Sequence, residues 1–226
     1  IYTVLHTLSL HDALPISHLI ETGMPFFPGD PEPRVIPGRG APPWQVSALE
    51  LGTHTGTHID APSHRFPEGR AIADFPPAHF VRPGLVIPVA GLAEDEPVQP
   101  ERLEPFLSRV RAGDTVIFAT GWARYWGQSP YFRHPYLSEA VAGLLVEAGV
   151  AIVGIDALNV DSTVQGTSGV HERLLGAEVL IVENLRGLDQ LVPGRRYVFS
   201  FLPLPVRGGD GSPVRAVAWE SDTRFV

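Results

Sequence analysis

"HPYLSEAVAGLLVEAGVAIVGIDALNVD", residues His134–Asp161, carries two structural periods back to back. Ser138 offers an oxygen that caps a helix opening at Glu139, and Val141, Leu144 and Leu145 recur at the spacing of an apolar helix face. Gly149 tolerates the left-handed backbone on which helices end. Val150–Ile155 then runs apolar without a break, as a strand covered on both faces does. A helix feeding a buried strand is the unit from which α/β folds are built. "GVHERLLGAEVLIVENL" repeats it, with a short helix around His171–Leu175 and a strand through Val179–Val182.

Working outward, "LVIPVAGL" reads as a short β-branched strand. "LEPFLSRVRAGDTVIFATGW" holds a helical turn or two, a turn at Ala112–Asp114 and another buried strand. Downstream, "RRYVFSFLPLPV" and "SPVRAVAW" are strand-like, with "RGGDG" as a loop between them. Upstream, "WQVSALELGTHTGTHID" alternates apolar and polar residues as a half-buried strand ending near Asp60, where Pro62 and Pro67 stop it. From Ser17 to Pro43, prolines and glycines dictate extended segments joined by turns, a form suited to covering a pocket. No internal repeat or linker divides the chain, so one α/β domain with a mixed central sheet is expected over residues 17–226. The opening "IYTVLHTLSLHDALPI", residues 1–16, looks like a translated sequencing adapter and is read as a non-native or unstructured extension. His6 and His11 are therefore set aside as ligands.

Composition narrows the chemistry. The chain has 226 residues, 44% hydrophobic and 19% charged, a balance that folds rather than stays disordered. Its net charge of −8 comes without any Lys/Arg block, which argues against nucleic acid as a partner. No apolar run reaches the roughly 20 residues of a membrane helix. There is no cysteine, which removes disulfides, thiolate metal sites and thiol nucleophiles and leaves His, Asp, Glu and water. The first residues lack a signal-peptide pattern, and a cytoplasmic protein fits.

"HTGTHIDAPSHRF", His54–Phe66, concentrates that chemistry. His54, His58, Asp60 and His64 are separated by even numbers of residues, so an extended backbone sends them to one face. Imidazole plus carboxylate suits a divalent ion such as Zn or Mn. His54, His58 and Asp60 supply three ligands and leave a position open, as catalytic sites do. Gly56 permits close backbone approach, and Thr57 is placed to orient a carboxylate. Pro62 breaks the alternation and sets His64 apart as a proton shuttle. The plainer alternative is a polar strand whose histidines bond to their neighbours. Asp156, at the end of a hydrophobic strand, must be paired and reads as a backbone-orienting group rather than a ligand. "GGDG" lacks the Lys and Ser/Thr of a phosphate loop. The aromatics of "TGWARYWGQSPYFRHPYL" suit a pocket, a subunit contact or plain core.

"HTGTHIDAPSH" resembles the H-x-G-T-H-x-D-x-P-x-H signature of the metal-dependent cyclase-like hydrolases, a family that includes bacterial kynurenine formamidases and isatin hydrolases. "PFFPGDP", "GIDALNVD", "HERLLGAEVLIVENL" and "PLPVRGGDGSPVRAVA" resemble further family blocks, so the likeness runs from Ser17 to Trp219. The resemblance implies a single-domain swivelling β/β/α, cyclase-like fold. It implies one ion on His54, His58 and Asp60, a second shared by Asp60 with His171 and Glu183, and His64 as general acid/base. Phe27 matches the place where formamidases carry a tryptophan against the aromatic substrate. The implied reaction is arylformamidase-like hydrolysis of an amide C–N bond, in N-formylkynurenine or a related formamide of tryptophan catabolism, by water activated on one or two Zn or Mn ions. Alternatives are ring opening of a cyclic, isatin-type amide and metal-dependent small-molecule binding without turnover. A homodimer or higher homo-oligomer is implied as well.

Overall fold

The computed structural model describes residues 13–38 and 40–220. Nine strands form the central sheet: β1 (Leu14–Pro15), β2 (His58–Asp60), β3 (Val81–Pro88), β4 (Thr115–Ala119), β5 (Ile152–Ile155), β6 (Leu180–Glu183), β7 (Arg196–Ser200), β8 (Gly211–Pro213) and β9 (Val217–Glu220). Their spatial order is β1-β9-β7-β3-β4-β5-β6-β2-β8. The inner run β3-β4-β5-β6 is parallel and both flanks are antiparallel, so the sheet is mixed. Helices α1 (Pro100–Leu107), α2 (Glu139–Glu147) and α3 (Gly169–Gly176) lie on the connections between the parallel strands, as parallel pairing requires.

The uninterrupted apolar runs are explained by burial on both faces. Leu85, Ile87, Val116, Phe118, Val153 and Ile155 pack with Leu103, Val141, Leu145 and Leu174 of the helices. The adjacent residues Val86, Ile117 and Ile152 point the other way, into a second core with Ile16, Ile59, Phe199 and Phe201. The sheet curls around this second core. Ile16 donates to Ala216 O beside β9 and accepts from Arg186 N just past β6, and Ser17 bridges Leu185. One α/β domain results, with the swivelling cyclase-like architecture.

Local signals behave as their chemistry dictates. Ser138 Oγ accepts from Val141 N at the start of α2, and Gly149 takes φ +69° just after its end. α3 opens at Gly169, because Asp161 accepts the amides of Val170 and His171 and so caps the helix from a distant loop. The strand expected to run through to Asp60 is two pieces. Ala48–Glu50 forms a small ribbon with Arg34–Ile36, and residues 51–57 turn before β2 begins. The break falls at Gly56, whose φ of +60° is incompatible with a continuing strand.

Of the segment read as an extension, residues 1–12, including His6 and His11, lie outside the described residues. Leu14–Pro15 pair with β9, and Ile16 is fully buried. Among the described residues no helix is long and apolar enough to cross a membrane.

Candidate metal centre

β2 is built between two partners that come from far along the chain. Its His58 lies opposite Glu183 of β6 and its Asp60 opposite Gly211 of β8. Two residues apart on one strand, His58 and Asp60 share a face, and cross-strand pairing sets Glu183 beside them. His171 arrives from α3. His54 comes from the turn rather than the strand face, so the even spacing brings His58 and Asp60 together but not His54.

The side chains converge on Asp60. Its Oδ1 is 2.8 Å from His54 Nδ1 and 3.2 Å from His58 Nε2. Its Oδ2 is 3.6 Å from His171 Nε2, which is 3.5 Å from Glu183 Oε1. His54, His58 and Asp60 form one cluster of potential ligand atoms, and Asp60, His171 and Glu183 form another, each within 4.8 Å. Asp60 Oδ2 is buried and has no hydrogen-bond partner among the described residues. A buried carboxylate oxygen facing imidazole nitrogens and left without a donor is what a divalent cation satisfies, so the residues fit such an ion.

His58, His171 and Glu183 are each oriented from behind. His58 Nδ1 donates to Gly56 O at 2.7 Å, and Asn184 Nδ2 steadies the same carbonyl at 3.0 Å. Asn184, at φ +57°, accepts from Tyr131 Oη at 2.7 Å. His171 Nδ1 donates to Asp161 Oδ2 at 2.8 Å, and Val160 N donates to Glu183 Oε1 at 2.9 Å. These bonds keep the Nδ1 protons of His58 and His171 away from the centre and turn both Nε2 atoms inward. Thr57 does not orient a carboxylate. Its hydroxyl donates to Asn184 O and accepts from His18 N, clamping β2 to the segment after β6.

The "Putative cyclase" family matches residues 14–162. The chain belongs to this cyclase family. A kynurenine formamidase of Salinibacter ruber is 36% identical over 179 residues, covering 76% of this chain and 78% of the relative. One of Erythrobacter litoralis is 30% identical over 213 residues, covering 91% and 92%. Isatin hydrolase A from Ralstonia solanacearum has the same fold, with a TM-score of 0.83 at 24% identity over 92% of both chains. The group is thus the cyclase and metal-hydrolase family related to kynurenine formamidase and isatin hydrolase.

In this member of the family the centre is strongly polarised. Burial opposes ionisation of Asp60, but His58, His54 and His171 outweigh it and hold the carboxyl well below its usual range. Burial likewise opposes a charged His54, yet Asp60 and Asp210 push it up to about 10. Asp161, Asp60 and Glu183 do the same for His171. Glu183, buried and beside Asp60, is raised to about 7. Protons on His54 and His171 balance the carboxylates here, a role a bound cation would take over.

His64 comes from outside β2, yet it joins His54 and Asp210 in a third group of potential ligand atoms within 4.8 Å. The 3-10 turn Pro62–His64 carries it, its ring lies 3.9 Å from that of His54, and 35% of its side chain is exposed. Burial holds it below its ordinary value, so it is neutral near pH 7. An open pocket lies over His54, His58, His64, His171 and Glu183, and Phe27, Phe26 and Leu158 form its apolar wall. Trp122 and Tyr131 belong to the core, and Trp126 stacks on His18 at 3.8 Å. Asp156 accepts from Thr120 N, Thr120 Oγ1 and Gly121 N, a backbone-orienting role and not a ligand's. Sequence reasoning missed Asp210 in "GGDG" and the capping role of Asp161. Asp210 acts on histidines 156 and 146 residues away in sequence, and Asp161 on a helix that opens beyond the reach of a sequential cap motif, so no local pattern marks either.

Proposed function

We propose that this cyclase-family protein is a metal-dependent hydrolase that opens an amide C–N bond in a small aryl substrate. The observation that carries the reading is Asp60, shared between two ligand clusters with its Oδ2 unpartnered in the interior. His54, His58 and Asp60 would hold one divalent ion, Zn or Mn, and Asp60, His171 and Glu183 a second. An ion held there supplies Lewis acidity, which makes water nucleophilic near neutral pH and stabilises negative charge growing on a carbonyl oxygen. His64, neutral at the pocket wall, takes the proton of the attacking water and returns it to the leaving nitrogen. No side chain is required as a nucleophile. Phe27 and Leu158 offer apolar surface to the substrate's ring.

A cyclic aryl amide of the isatin type is placed first. A solved neighbour carrying this fold over 92% of both chains is an isatin hydrolase, and Phe27 keeps an aromatic face without the indole N–H of the formamidase pattern. An open aryl formamide is the second reading, supported by the names of the curated relatives. The family resemblance supports, as part of this proposal, a cytoplasmic homodimer or higher homo-oligomer acting on small molecules.

Metal analysis and turnover before and after chelation test it, with isatin and N-formylkynurenine as substrates. Chelation should abolish turnover and Zn or Mn should restore it, with isatin the better substrate by at least about tenfold in kcat/KM. Turnover that survives complete metal removal sinks the hydrolase reading. The opposite substrate order selects the formamide.

A further inference from the structure

The loop Gly208–Gly211 takes no part in the reading above, yet it is built into the edge of the site. Ile72 N donates to Gly209 O and Ala61 N to Asp210 O, both at 2.8 Å, and Gly211 pairs with Asp60 at the start of β8. Asp210 is therefore fixed through its backbone. A Cβ at Gly211 would lie 2.8 Å from His54 Cε1 and 2.9 Å from Ile59 O, so glycine is needed where the loop passes the ring. From this position one oxygen, Asp210 Oδ2, meets His54 Nε2 at 3.1 Å and His64 Nδ1 at 3.4 Å. The opposite nitrogen of His54, Nδ1, faces Asp60.

We infer that Asp210 is a positioning residue that serves both histidines through one oxygen. It accepts from His54 Nε2–H, leaving Nδ1 as the ligand atom, and from His64 Nδ1–H, leaving Nε2 as the nitrogen that takes and returns the proton. The His64 half rests on the hydrolase reading, whereas the His54 half requires metal binding alone. An imidazole whose far N–H is held by a carboxylate is fixed in tautomer and ring angle, and its free nitrogen is the more basic for it.

The isosteric variant Asp210→Asn, in the full chain, tests both halves. Zn titration of the metal-free protein against a chromophoric chelator should show affinity weakened about 10- to 100-fold, with the same number of ions bound at saturation. At saturating Zn, kcat should fall about 10- to 100-fold while KM stays within about threefold, and adding Asp210→Asn to His64→Ala should cost little more. Long-range proton–nitrogen spectra of the Zn-loaded wild type should show His64 as the Nδ1–H tautomer, and the variant should show a mixture. This readout needs no substrate, so the inference is tested even if the hydrolase reading fails. Unchanged Zn affinity, one fewer ion at saturation, or an Nε2–H tautomer of His64 in the wild type would each overturn it.

Discussion

Asp156 shows how one buried carboxylate sets a pH dependence. Burial is the largest influence on it and, despite the donors from Thr120 and Gly121, raises it to about 6 from an ordinary 3.8. Its proton is thus bound more tightly in the folded chain than in the unfolded one. The stabilisation is complete below the unfolded value and is lost as the pH rises through the folded one. Asp156→Asn removes this dependence. Urea unfolding of both proteins should therefore show the stability difference, wild type minus variant, declining from about pH 4 to about pH 7; a constant difference counts against it. The clustering of His54, His58 and Asp60 was legible residue by residue, because imidazoles and a carboxylate so closely spaced are uncommon, and the structure gathers their ligand atoms within 4.8 Å. Asp210 and Asp161 were not, since a lone aspartate among glycines or in a loop acquires its role from whatever folds against it.

Alternation told which way His58 and Asp60 point, but it could not tell whether the backbone stays extended between Glu50 and His58. The turn at Gly56 answers that. It aims Gly56 O at His58 Nδ1 and leaves Met24 Cε 2.7 Å from where a Cβ would be. Gly56→Ala should cost about 1 kcal/mol or more through its positive φ alone, and should weaken Zn binding because the carbonyl that orients His58 moves. Thermal unfolding and Zn titration check the two parts, and unchanged values in both would show the turn to be incidental. α2 was legible from its cap to its closing glycine because every signal for it is local. The start of α3 was not, since its capping carboxylate lies eight residues before Gly169, outside any sequential cap motif.

For the whole molecule, the mixed sheet was expected but its curl was not, because closure depends on Ile16 joining the segment beside β9 to the one past β6. Ile16 is fully buried among Ile59, Val182 and Phe199 in the core that the sheet wraps. Ile16→Ala should destabilise the protein by about 2–5 kcal/mol, read from chemical denaturation, whereas an exposed residue of an extension would cost nothing measurable.

The position of β2 also has a consequence for the chain as it is made. His58–Asp60 leaves the ribosome well before either neighbour exists, since β6 starts at Leu180 and β8 at Gly211. At about 5–20 residues per second, the signature stretch waits roughly 6 to 30 seconds for its sheet. Through that interval Ile59 has no core to enter, and the ligands of the first cluster stand without Glu183 or the loop that backs His54. The cluster of Asp60, His171 and Glu183 is therefore assembled only after β6 has been made, and β2 gains its second edge partner only with Gly211.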